Sequence, residues 1–239
     1  MKCLDLSLPS PEENLACDEA LLEWCETETN TELLRFWEPS SLFVVLGYGN
    51  RHLQETHASN CQRDNVPILR RCSGGGTVLQ GPGTLNYSLI LRVDHDASLA
   101  GITGANRFIM DRNARALTGL LNQKVNVQGF TDLTLENLKF SGNAQRRRKQ
   151  CLLFHGTFLL NFDIDLIATY LQMPVRQPDY RKERPHAEFL TTIHTGIDQV
   201  KRALREEWNA REPLTPWPRE ETIRLVLEKY GRSEWNLKI

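Results

Sequence analysis

At 239 residues the chain is long enough to bury a sizeable core, and 40% hydrophobic with 25% charged residues is ordinary for a globular protein. A formal net charge of -1 leaves no overall basic field of the kind that sequence-independent nucleic-acid binding requires, which argues against nucleic acid as the main partner. Met1-Lys2-Cys3-Leu4-Asp5-Leu6 lacks a signal peptide's apolar region and no stretch approaches the roughly 20 apolar residues of a membrane span, so a cytoplasmic protein with no membrane partner is expected.

Leu15, Ala16, Ala20, Leu21 and Leu22 recur at helical spacing between Asn14 and Trp24, and Pro11-Glu12-Glu13 supplies an acidic first turn. Glu32 to Trp37 and Ser41 to Leu46 are strand-like, and Pro39-Ser40 between them predicts a hairpin. Gly47-Tyr48-Gly49 breaks the second strand, as a plain turn or as a point of close approach by a ligand or another backbone. Val66 to Leu69 and Leu85 to Leu91 read as strands around Arg70-Arg71-Cys72-Ser73-Gly74-Gly75-Gly76-Thr77-Val78-Leu79. Glycines without Cβ atoms let backbone N–H groups form an anion-binding concavity, and arginines add charge of the right sign. A hairpin turn with surface arginines has the same composition, and the stretch matches neither GxxxxGK[ST] nor GxGxxG.

Helical spacing returns from Gly104 to Leu121, followed by strands at Val125 to Val127 and Asp132 to Leu135. The segment Leu138 to Arg146 and a strand over Leu152 to Leu160 come next. Lys139 among hydrophobic strand residues reads, on this segment alone, as an exposed edge-strand lysine that guards against edge-to-edge pairing. Asp163 to Leu171 is a short helix, Pro174 to Pro185 a surface loop, and Gly196 to Trp208 and Arg219 to Tyr230 are helices, the last with Gly231 at a C-cap position. Without repeats or an interdomain linker, residues 1–239 are expected to form one domain. Cys3, Cys17, Cys25, Cys61, Cys72 and Cys151 show no CxxC or CxxH spacing, which predicts reduced thiols and no metal held by the protein.

In order, Asn14-Leu15-Ala16, Val44-Val45-Leu46-Gly47-Tyr48-Gly49-Asn50, Arg70-Arg71-x-Ser73-Gly74-Gly75-Gly76-Thr77-Val78, Lys139-x-Ser141-Gly142-Asn143-Ala144-Gln145-Arg146 and His155-Gly156-Thr157-x-Leu159-Leu160-Asn161 resemble the motifs of the lipoate-protein ligase A family. The resemblance runs nearly end to end. It implies an α+β fold of the biotin/lipoyl protein ligase type (class II aminoacyl-tRNA synthetase and biotin synthetase-like), a central mixed, largely antiparallel sheet flanked by helices. It also implies activation of lipoate or octanoate by ATP with Mg to an acyl-adenylate, then transfer to a lysine of a lipoyl domain, in the E2 component of 2-oxoacid dehydrogenases or the glycine cleavage H protein.

By the same resemblance Lys139 is the catalytic residue, holding the carboxylate against the α-phosphate and polarising the acyl carbonyl. Arg71, Gly76, Thr77, Val78, Leu79, Lys139, Arg146 and His155 match nucleotide-binding positions, with a buried, hydrogen-bonded histidine the plainer reading of His155. Arg70, Ser73, Gly74 and Gly75 neighbour the acyl group, and Val45, Leu46, Val78 and Tyr87 are candidate pocket walls. Seven buried methylenes at roughly 0.8 kcal/mol each give about 5–6 kcal/mol of binding before entropy costs. A pocket distinguishes one methylene by only about 1–3 kcal/mol, so lipoate and octanoate both fit this reading.

Family ligases commonly carry a small C-terminal domain that this sequence does not include, so three arrangements are open: a separate accessory chain, a ligase without it, or an octanoyl- or lipoyl-transferase that moves preactivated acyl groups through a cysteine thioester. Transferases of similar sequence place their cysteine in the segment before the lysine, and Val125 to Leu138 has none. Gly81-Pro82-Gly83 resembles the His-Gly-Pro-Gly of another transferase family, with Gln80 in place of the histidine, and Phe154 stands where a second histidine is common. A non-catalytic module that binds lipoyl domains is the third reading, opposed by the intact Lys139. Biotin ligases have an alternating Gly-Arg signature that this chain lacks. Arg146-Arg147-Arg148-Lys149 is a solvated turn or a steering patch for an acidic lipoyl domain.

Overall fold

The computed structural model describes residues 1–27 and 31–238. The chain starts in strand β1 (Lys2–Asp5), enters helix α1 (Pro11–Thr27) and returns through β2 (Leu33–Trp37). Strand β3 (Phe43–Leu46), short helices α2 (His52–Glu55) and α3 (Ala58–Arg63), and strands β4 (Ile68–Arg70) and β5 (Val78–Gln80) follow. Next come strand β6 (Thr84–Arg92), helix α4 (Ile102–Leu121) and strands β7 (Val125–Gln128), β8 (Asp132–Leu135), β9 (Leu138–Arg147) and β10 (Cys151–Leu159). Helices α5 (Asp165–Tyr170), α6 (His186–Phe189) and α7 (Ile197–Glu207), strand β11 (Glu212–Pro213), and helices α8 (Arg219–Leu225) and α9 (Ser233–Asn236) complete it, with a π-type turn at Val226–Tyr230.

Helix α1 begins where its sequence says it should. The Ser10 hydroxyl accepts the Glu13 amide (3.2 Å) and the Glu13 carboxylate accepts the Ser10 amide (2.9 Å), a reciprocal box that satisfies two donors the first turn would leave bare. Pro11 at the first helical position has no N–H to lose.

The large sheet runs β11-β1-β2-β6-β10-β9-β8-β7, parallel at β11-β1-β2 and antiparallel elsewhere, and a small sheet runs β4-β3-β5. All nine residues of β6 are buried because both its faces are covered. Leu85, Tyr87, Leu89 and Leu91 pack with Ile109, Met110 and Leu117 of α4, whereas Ile90 meets Cys17, Leu21 and Leu22 of α1. Each such aliphatic contributes about 1.5–3 kcal/mol on leaving water, so this strand between two helical layers fixes the frame. The α+β architecture, with helices on both sides of a largely antiparallel sheet, is the one expected. No described helix is long and apolar enough to cross a membrane.

The hairpin expected across Pro39-Ser40 does not form. Strand β2 pairs with β1 and β6, while β3 pairs with β4 and β5 in the small sheet. Both strands are buried along their whole length, so each needs two partners, and the turn carries the chain from one sheet to the other. The loop Pro174 to Pro185, expected at the surface, buries Arg181, whose guanidinium lies 4.6 Å from the Phe189 ring centroid. Strands β1 and β11 were not legible as strands.

Candidate functional site

The triglycine bend leaves β4, touches the end of β3 and enters β5. Gly75 has φ +87°, where a side chain is strained, and a Cβ there would lie 2.9 Å from Arg71 Nη2. A Cβ on Gly47 would collide with the Gly75 carbonyl oxygen, so two glycine motifs distant in sequence interlock. The Tyr48 amide donates to Ser73 O (2.8 Å) and Asn50 Nδ2 to Thr77 Oγ1 (3.0 Å). From inside the bend, Arg71 donates to the carbonyls of Gly74 (2.5 Å) and Gly76 (2.7 Å) and to Ser73 Oγ (3.0 Å). Burial lowers its pKa to about 10, so it stays charged at neutral pH. The Gly75 and Gly76 amides have no backbone acceptor among the described residues.

Arg70, expected beside the acyl group, lies elsewhere. Its guanidinium donates to the carbonyls of Gly47, Tyr48, Asn50, Trp235 and Lys238, at 2.7–3.1 Å, and ties the end of β3 to α9. Strand parity explains the difference. Val45 lines the cavity, Leu46 turns to the opposite face in the core with Val44 and Cys61, and Arg70 is the register partner of Leu46.

His155 is anchored at both nitrogens. Nε2 lies 2.6 Å from Ser73 Oγ and Nδ1 3.3 Å from Asp18 Oδ2, while Asp18 Oδ1 accepts Arg35 Nη1 at 2.5 Å. With Nδ1–H donated to the Asp18 carboxylate, Nε2 accepts the Ser73 hydroxyl proton. Burial alone would raise the Asp18 carboxyl, but the Arg35 guanidinium, helped by His155 and Ser88, outweighs it and holds the group below the usual carboxylate range. This chain fastens the bend to α1 and the sheet, and it leaves Ser73 without exposure.

Lys139 projects from β9 so that its ammonium lies over Gly142, where a Cβ would come within 2.9 Å of Nζ. Asp132 Oδ1 pairs with Lys139 Nζ at 2.8 Å and Asp132 Oδ2 accepts the Tyr180 hydroxyl at 2.7 Å. Gly142 and Ala144 point to one face of the strand, and Ala144 Cβ sits 3.4 Å from the Cβ position of Gly75. The ammonium and the bend therefore face a common space about two residues apart, roughly 7 Å along the strand.

That space is a cavity of ≈ 460 Å³. Of the residues nominated from sequence, Val45, Arg71, Gly75, Gly76, Thr77, Val78, Leu79, Lys139 and His155 line it together. Ser73, Gly74, Leu46, Arg70 and Arg146 do not, and the Arg146 guanidinium instead sits 5.8 Å from the Tyr48 ring centroid. Tyr87 contributes to the wall, and its ring also stacks on Phe158 (5.1 Å) in the core against α4. One end of the cavity is apolar, with Leu15, Trp37, Val45 and Val78. Phe130, also among the lining residues, is 88% exposed.

Sequence reasoning missed Trp37, Asp132, Tyr180, Arg181 and His186. The basic and aromatic content of the Pro174 to Pro185 loop was the available signal for Tyr180 and Arg181; nothing local marks Asp132. None of the six cysteines lines the cavity, and burial pushes every thiol up, Cys72 to about 12 and Cys151 to about 11. Such thiols stay protonated and poorly nucleophilic at neutral pH. Among the described residues no group of three His, Cys, Asp or Glu side chains is placed to hold a metal.

A family model described as the lipoyl protein ligase A/B catalytic domain matches residues 10–209. Octanoyltransferase LipM of Bacillus subtilis is 28% identical over a 272-residue alignment that covers 98% of this chain and 97% of that protein. The LipM of Clostridioides difficile is 26% identical, covering 94% of each. Among solved structures, the bi-partite lipoate protein ligase of Thermoplasma acidophilum superposes with a TM-score of 0.83 at 23% identity, covering 99% of this chain and 96% of that one. A lipoate-protein ligase A bound with ATP gives 0.83 at 24% identity, covering 99% and 98%. These two share the fold.

Proposed function

Since the chain belongs to the lipoyl protein ligase A/B catalytic family, we propose that it activates octanoate or lipoate with ATP and transfers the acyl group to a lysine of a lipoyl domain. The observation that carries this reading is the shared cavity: an ammonium, two amides without backbone acceptors and an apolar end, with no thiol among its described lining residues.

A free carboxylate does not acylate an amine at neutral pH, and bound ATP supplies the leaving group that makes it do so. The Gly75 and Gly76 amides suit phosphate oxygens, in a bend held open by a buried arginine. Lys139 neutralises the repulsion between carboxylate and phosphate as the carboxylate oxygen bonds to the α-phosphorus and pyrophosphate departs. It then draws charge onto the carbonyl oxygen as the acceptor amine attacks and AMP leaves. Asp132 and Tyr180 keep the ammonium over Gly142, and Leu15, Trp37, Val45 and Val78 take the hydrocarbon tail. The Mg that accompanies the nucleotide arrives with it as part of the substrate.

A second reading is octanoyl transfer between carrier proteins, favoured by LipM relatives matched over nearly their whole length. The two readings separate in one assay, in which a lipoyl domain receives either ATP with free octanoate or lipoate, or an octanoyl-carrier protein alone. Modification of the domain only with ATP and free acid is expected; modification only from the carrier overturns the ligase reading in favour of the transferase.

A further inference from the structure

From the sheet face packed against α4 to the cavity wall, a line of buried and half-buried hydrogen bonds leads to Thr131, the residue before Asp132. Trp208 Nε1 donates to Asn113 Oδ1 (2.8 Å), and Asn113 Nδ2 donates to Tyr87 Oη (2.8 Å). Tyr87 Oη donates to Asn143 Oδ1 (2.6 Å), and Asn143 Nδ2 donates to Thr131 O (2.6 Å). Chemistry fixes every direction. An indole N–H can only donate, so the first amide must accept with its oxygen and give with its nitrogen; the phenol passes its single proton on to the next amide. Asn113 and Tyr87 have no exposure.

The row is built into the strand register. Tyr87, Gly156 and Asn143 lie opposite one another on β6, β10 and β9. A Cβ on Gly156 would collide with Asn143 Oδ1, so the glycine is what lets the two polar side chains meet across the middle strand. Thr131 closes the end by donating its hydroxyl to Asn143 O at 2.8 Å. The next residue is Asp132, whose carboxylate holds the Lys139 ammonium.

We infer that Tyr87 and Asn113 are positioning residues for Lys139: the aligned bonds from Trp208 to Asn143 fix the Thr131 carbonyl, and with it the place of Asp132 and of the ammonium it pairs. The inference rests on the reading of Lys139 as the group that stabilises charge in acyl transfer. Bonds aligned head to tail in a largely buried setting reinforce one another, so a break at the phenol is felt at Thr131, two hydrogen bonds along the row.

The test is Tyr87→Phe, which keeps the ring stacked on Phe158 and deletes both phenolic bonds. Amide hydrogen exchange at residues 129–133 is expected to quicken about tenfold while α1 and β6 exchange as before, the size of effect left by one broken buried hydrogen bond. With the purified chain, ATP, octanoate and a lipoyl domain, kcat falls about tenfold and KM for octanoate stays within about twofold. Asn113→Leu, which leaves the Tyr87–Asn143 bond but removes the donor behind it, shifts both readouts the same way by about threefold. Unchanged exchange at 129–133, faster exchange throughout the chain, or local loosening with kcat intact each overturns the positioning role. Full activity of Lys139→Ala would instead sink the functional reading, and the exchange data then still decide whether this row of bonds holds the turn.

Discussion

The two sides of the cavity are held in opposite ways. On the bend side, Arg70 and Arg71 spend their donors on backbone carbonyls, His155 is bonded at both nitrogens, and glycines at 47 and 75 fit against each other without room for a methyl group. On the opposite side, Lys139 is a quarter exposed and rests on one carboxylate. The contrast teaches that a cation next to a ligand-shaped bend need not be a ligand-binding cation. Buried guanidinium groups here build the bend, whereas Lys139, paired with a single carboxylate, is a partly exposed cation in the cavity wall.

The sharpest way to break this contrast is Lys139→Ala. Turnover should drop by about 10²–10³ while the melting temperature stays within about 2 °C, as read by acyl transfer to a lipoyl domain and by thermal unfolding. Arg70→Ala should do the reverse. Five carbonyls lose a buried donor, so unfolding free energy falls by about 3 kcal/mol in denaturant titration, and loss of activity follows loss of fold; a stable but inactive Arg70→Ala would assign that side chain to catalysis after all.

A smaller effect belongs to the anchor beneath His155. The Asp18 carboxyl is held below its unfolded value of about 3.9, so its contribution to stability is complete above that value and is lost as the pH falls through the lower folded value. Denaturant midpoints measured downward from pH 5 should fall in that window, and Asp18→Asn should flatten the decline. The smallest effect is expected from Cys72→Ala and Cys151→Ala. Both thiols are buried and protonated, so kcat should remain within about twofold of the parent; a loss of 100-fold at either would restore a thioester route.

Periodicity in the chain was enough to mark α1, α4, α7 and the strands β6 and β10, because each buries a face that recurs at its own period. The glycine bend and Lys139 were legible as well, since glycine runs and a lysine among strand residues are locally anomalous. The hairpin error at Pro39-Ser40 has a different origin: turn chemistry reports that the chain reverses, not which edge it finds next. Misplacing Arg70 and Leu46 follows from strand parity, as a shift of one residue moves a side chain to the other face, and composition does not set that phase. Asp132 and Asn113 carried no local mark, because their partners lie on strands and helices remote in sequence.

The sequence by itself determined most of the segments that become helices and strands, where the backbone must do without side chains, and which family of chemistry the motifs resemble. Only the tertiary structure decided which arginine supports and which cation faces the cavity, and it alone brought Asp132 to Lys139 and Tyr87 to Asn143. The reason is physical: local propensity acts through neighbours along the chain, whereas the charge and hydrogen bonding of a site are set by neighbours in space, and those exist only once the sheets have closed.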